Sequence, residues 1–257
     1  MGRFGQLEFD APRDGGVPRP AGAGEADRCL GQAWASFERG EFEPALRWFS
    51  RVLEHDPHRG AAWTGQVRAL IEMGQYPEAG VWADQALDRF PDAAELLAAK
   101  AVSLGRQGRS REAMPLADAA VERPGESAYV WLARGDVLLA AGMRQVDPCF
   151  DRARQAEPGS WQVRWLGGRI RAAWGQYAAA LQLAREAAAL APDRAVVWLL
   201  AGDCQSSLGL AEPAARSFHQ ALTLVPDCRP AEAGLARLRS DDWMDRLAAR
   251  WRAWRTG

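Results

Sequence analysis

Apolar residues along this chain keep a helical spacing that is broken at regular intervals. The breaks are glycines: Gly40, Gly74, Gly108, Gly142, Gly175 and Gly209 recur every 34 residues, with one interval of 33. Pro57, Pro91, Pro158, Pro192 and Pro226 keep the same beat, and Pro124 comes one residue early. Between each glycine and the next proline lies an apolar helical pattern. The registers match residue by residue. Gly40–Glu41–Phe42–Glu43–Pro44–Ala45 aligns with Gly74–Gln75–Tyr76–Pro77–Glu78–Ala79 and with Gly175–Gln176–Tyr177–Ala178–Ala179–Ala180. A glycine supplies a left-handed helix stop, and a proline ends a helix because it lacks an N–H and clashes with the preceding turn. The pattern therefore predicts six helix–turn–helix units at 26–59, 60–93, 94–127, 128–160, 161–194 and 195–228. Each pair is too short to bury its own apolar stripe, so the units must stack.

Small and aromatic residues fall at set places in each unit. The eighth position holds Ala33, Val67, Ala101, Gly135, Gly168 and Gly202. The twentieth holds Ala45, Ala79, Ala113, Ala180 and Ala214, and the twenty-seventh holds Val52, Ala86, Ala120, Ala153, Ala187 and Ala221. Trp63, Trp131 and Trp198 occupy the fourth. In these residues the sequence resembles the tetratricopeptide repeat family. The resemblance covers residues 26–228 and implies an all-α, right-handed superhelical solenoid of six repeats with C-terminal capping helices.

Two repeats depart from the pattern. The fourth is one residue short around Met143–Asp147, where Val146 or Asp147 replaces the usual Ala. In the fifth, Arg164 stands at the aromatic position between Trp161 and Trp165. A local irregularity is expected over 143–165, either as sequence drift or as a specialised surface.

The flanks differ from the repeats. Residues 1–25 are rich in Gly and Pro and read as a flexible leader. Phe4–Gly5–Gln6–Leu7–Glu8–Phe9–Asp10 carries three apolar side chains. It reads as a docking motif for a partner or for this protein's own groove, or as incidental leader sequence. Residues 229–257 read as two helices. Ala231, Ala233, Leu235 and Leu238 line the first. In the second, Trp243, Met244, Leu247, Trp251 and Trp254 share one face, flanked by Arg246, Arg250, Arg252 and Arg255. That stripe suits a cap on the last repeat, or a docking tail for a partner or a membrane surface.

Composition narrows the function. Among 257 residues there are 32 basic and 33 acidic ones, a formal net charge of −1. No whole-surface nucleic-acid footprint is expected. The four cysteines, Cys29, Cys149, Cys204 and Cys228, form no CxxC pair, which argues against zinc or redox motifs and for a reducing compartment. No signal peptide is visible in Met1–Asp10, and no run approaches the ~18 apolar residues that span a bilayer. A cytoplasmic, bacterial protein is the expectation. No P-loop, GxSxG, HExxH or dinucleotide motif occurs, so no enzyme activity, cofactor or metal is predicted.

The remaining candidate is the concave groove. The resemblance implies that the second, fifth, ninth, twelfth and thirteenth positions of each first helix face a ligand. These include Trp34, Phe37, Arg68, Arg106, Asp136, Trp165, Arg169 and Asp203. The chain has no Asn and a single lysine, Lys100, so the Lys/Asn carboxylate clamp known in the family is absent. The expected function is a non-catalytic scaffold that binds a protein or peptide segment in this groove. The alternative is a membrane-peripheral tether working through Trp243, Leu247, Trp251 and Trp254. Exposed Trp stripes also allow self-association.

Overall fold

The protein's structure is a computed structural model that describes residues 23–124 and 127–240. The described residues contain helices and no strands. The first helices of the six repeats are α1 (Ala23–Glu38), α3 (Gly60–Glu72), α5 (Ala94–Arg106), α7 (Ala128–Ala140), α9 (Trp161–Ala173) and α11 (Ala195–Ser207). Their partners are α2 (Phe42–His55), α4 (Tyr76–Arg89), α6 (Ser110–Glu122), α8 (Asp147–Ala156), α10 (Tyr177–Leu190) and α12 (Ala211–Leu224). A further helix, α13, covers 229–240. The result is an all-α solenoid of stacked helical hairpins. α1 begins at Ala23, three residues ahead of the first expected repeat. Phe4–Asp10 and the expected helix over 241–255 lie outside the described residues.

The turn chemistry follows from the glycines. All six turn glycines have positive φ, between 72° and 79°, the left-handed region where a Cβ is strained. In the first turn the Gly40 N–H donates to Phe37 O and the Glu41 N–H reaches back to Ser36 O, which satisfies carbonyls orphaned at the end of α1.

Alanines at the twentieth position, Ala45, Ala79, Ala113, Ala180 and Ala214, are wholly buried, so paired helices approach closely. In the short fourth repeat Val146 takes that place with no exposed surface, and α8 shrinks to 10 residues. Phe49 and Phe218 on second helices face glycines of first helices. A Cβ on Gly65 would lie 2.3 Å from the Phe49 ring, and one on Gly202 would lie 2.6 Å from Phe218. Large and small residues thus exchange volume between layers at constant packing.

Two fourth-position tryptophans tie their repeats to the turn before. Trp63 Nε1 donates to Pro57 O at 2.9 Å, and Trp198 Nε1 donates to Pro192 O at 2.8 Å. Arg164, the expected irregularity, does a related job: its Nη1 donates to Ser160 O at 3.0 Å. The departure in the fifth repeat is therefore a change of donor, and α9 stays regular. α13 packs on the sixth repeat: Gly234 lies against the Phe218 ring, and Ala231, Leu235 and Leu238 join the apolar cluster that contains Phe218.

Candidate functional site: the inner face and its cavity

The ligand-facing positions all lie on first helices, and the superhelix brings those helices together. Winding is tight enough that the first repeat touches the fifth and sixth. Gln162 Nε2 on α9 donates to Glu38 Oε1 on α1 at 3.1 Å, across 124 residues of sequence. Arg194, which caps α11, lies 4.0 Å from Glu38. A Cβ on Gly40 would sit 3.2 Å from Val196. Through the first five repeats, side chains from facing elements fill much of the inner face.

Aromatic rings fill the closure. Phe42 stacks on Trp165 with centroids 6.4 Å apart and planes at 20°. Phe37 meets Trp165 edge-on at 6.4 Å and Phe42 at 5.2 Å. Trp34 packs edge-on against Phe49 at 5.0 Å. Offset and edge contacts of this kind are favoured by the ring quadrupoles. Trp165 is 2% exposed and Phe37 3%, so both belong to the core.

Polar residues in this interior find partners across repeats. Arg169 lies 4.9 Å over Phe42 and 5.4 Å over Trp165. It donates through Nε to Glu72 Oε2 at 2.7 Å. Arg106 grips Asp136 with Nε and Nη2, each at 2.9 Å, and Trp174 Nε1 donates to the same carboxylate at 2.7 Å. Burial pushes the Asp136 carboxyl above the usual range, although Arg106 and Trp174 oppose this. Asp203 is different. Its own side chain is exposed among buried neighbours on α11 and pairs with Arg237 of α13 at 3.0 Å. Of the eight groove residues named from sequence, seven converge on the interior of the first five repeats, and Asp203 stands apart. Trp243, Leu247, Trp251 and Trp254 lie outside the described residues.

Arg68 is the exception inside. Its guanidinium stacks 4.2 Å from the Tyr129 ring centroid, 5.2 Å from Phe37 and 5.3 Å from Trp34. No carboxylate among the described residues pairs with it. Its Nε is sealed from solvent with no hydrogen-bond partner, which is a costly state for a charged group. Beside it opens a cavity of about 260 Å³. Trp34, Phe37, Tyr129 and Trp165 wall the cavity, and Glu38, Glu95 and Glu157 stand around it. Ser127 and Ser160, at the starts of α7 and α9, add hydroxyls.

Sequence reasoning passed over Tyr129, Glu95 and Gln162. All three occupy the second position of their repeats, a ligand-facing place that could have been mapped. Phe42 follows the turn glycine, where no ligand-facing residue was sought. No group of three or more His, Cys, Asp and Glu suited to a metal occurs among the described residues. No described helix is long and apolar enough to cross a membrane.

Two models of the tetratricopeptide repeat match the chain, at residues 36–103 and 98–142. Residues 36–142 are tetratricopeptide repeats. Solved structures of this tetratricopeptide repeat fold are similar to the chain. PilW, a widely conserved type IV pilus biogenesis factor, aligns with a TM-score of 0.50 and 20% identity, over 82% of this chain and 98% of PilW. The APC/C hetero-tetramer Cut9–Hcn1 gives 0.51 and 17%, over 83% of this chain and 42% of that one. YrrB, described as a TPR protein with an unusual peptide-binding site, gives 0.42 and 19%, over 72% of this chain and 96% of YrrB. At these identities the likeness is one of fold. No curated protein matches the chain.

Proposed function

We propose that this protein is a non-catalytic interaction scaffold that holds a peptide segment of a partner protein at the inner cavity. One observation carries the reading: a cavity with aromatic walls beside an arginine that has no anionic partner among the described residues. Tetratricopeptide repeats are in general protein-interaction modules, which supports the class of function. The cavity chemistry supports the kind of ligand. An aromatic or large apolar side chain fills the space between Trp34, Phe37, Tyr129 and Trp165. A carboxylate next to it answers Arg68 with a charge-assisted hydrogen bond. Rigid aromatics and arginine are the residue types most enriched in binding hot spots. The four free, buried thiols fit a reducing compartment such as the cytoplasm.

Selection of a random peptide library on the full chain tests this. Enriched peptides are expected to pair an aromatic residue with Asp or Glu, and to lose at least tenfold in affinity on the Arg68→Gln protein. Circular dichroism checks that the variant is folded. No enrichment, or equal binding by Arg68→Gln, refutes the reading.

A further inference from the structure

The cavity asks for three features in a ligand, and a segment of this same chain carries all three. The walls ask for an aromatic ring. Arg68 asks for a carboxylate beside that ring. Glu95 and Glu157, which pair with no cation among the described residues, ask for a cation a short distance further on. Glu8–Phe9–Asp10–Ala11–Pro12–Arg13 presents a ring flanked by two carboxylates, and then an arginine.

Reach also fits. Helix α1 starts at Ala23 and contributes Trp34, Phe37 and Glu38 to the cavity. From Ala23 to Trp34 the helix rises ~17 Å. The chain from Asp10 to Ala23 covers up to ~43 Å when extended, so it can turn back along α1 with slack. Tethering over so short a distance gives a local concentration in the millimolar range, so even a weak contact stays filled.

We propose that residues 8–13 occupy the inner cavity of their own chain, with Phe9 between the aromatic walls, Asp10 on Arg68 and Arg13 at the glutamates. The segment is a built-in competitor, and a partner peptide has to displace it. This rests on the reading of the cavity as a peptide site.

The test uses the full chain with Phe9→p-benzoylphenylalanine. Photocrosslinking is expected to yield monomeric products joined to the Tyr129–Leu132 or Gln162–Leu166 stretches. Adding Arg68→Glu, or the milder Arg68→Gln, should cut that yield at least fivefold. Products between two chains would make a second copy the occupant and overturn the proposal. So would monomeric products away from the cavity, or products indifferent to both Arg68 changes. A labelled synthetic peptide with the sequence of residues 3–13 separates the two readings. It should bind the Phe9→Ala/Asp10→Ala chain at least tenfold more tightly than the unaltered chain. Equal binding to both leaves a peptide site but removes the self-occlusion. Binding to neither removes both.

Discussion

Asp136 and Asp203 hold the same ninth position in two repeats, and each is paired with an arginine. Their surroundings are opposite. The side chains of Arg106 and Asp136 are 13% and 4% exposed, whereas those of Arg237 and Asp203 are 62% and 56% exposed. The fifth position shows the same split: Trp165 is 2% exposed, while its counterpart Leu199 in the sixth repeat is only half-buried. The cause is the superhelical path. The first repeat packs its rings on Trp165 of the fifth and covers it. Among the described residues the sixth has no such cover over Asp203. One repeat register thus gives core at one end of the array and surface at the other.

The largest expected difference comes from removing the two aspartates. Asp136→Ala leaves Arg106 buried and unpaired and takes the acceptor from Trp174, which should cost ~3–5 kcal/mol in urea unfolding. This cost should depend on pH. The folded carboxyl has a raised pKa, so the folded state holds its proton more tightly than the unfolded chain does. That contribution is fully present below the ordinary carboxylate range and is lost as pH rises through the raised value. The cost of Asp136→Ala should therefore shrink between acid and neutral pH. A cost that grows over that interval would reverse the assigned direction.

Trp165→Ala removes the ring that Phe37 and Phe42 pack on and should cost a similar ~3–5 kcal/mol. Its more telling effect is non-local. Amide hydrogen exchange in α1 should speed up although the change lies in α9, because the first and fifth repeats are in contact. If only α9 and its sequence neighbours respond, the array behaves as a nearest-neighbour solenoid and the closure carries no energy.

Arg169→Gln breaks the pair with Glu72, whose side chain is 12% exposed. About 1–3 kcal/mol is expected from leaving that carboxylate without its charged donor, with a larger radius of gyration in small-angle scattering if the closure loosens. At the bottom of the scale, Asp203→Ala should change stability by no more than ~1 kcal/mol, as exposed pairs do. A cost near that of Asp136→Ala would erase the contrast between the two ends.

Much of the fold was legible because its determinants are local. The turn glycines carry the positive φ that the helix stop requires, and the twentieth-position alanines are buried as the repeat pattern demands. The site was legible only in part. The repeat register puts Trp34, Phe37, Arg68, Arg106, Asp136, Trp165 and Arg169 on one face, and they lie together in the interior. What each of them meets there was not legible. Arg106 and Arg169 look like free ligands in a single repeat, but their carboxylates come from other repeats, 30 and 97 residues away. No periodicity signals such partners.

The sequence by itself determined the helices, their turns, the two-helix unit and the face each unit turns inward, since these depend on residues within one or two turns of each other. Only the tertiary structure decided whether that face is open. A small rotation between adjacent repeats, summed over four or five of them, brings α1 against α9 and Gly40 to Val196. Such a sum is written in no single repeat. It packs the inner face around a cavity, and it leaves Arg68 beside that cavity with no carboxylate partner among the described residues.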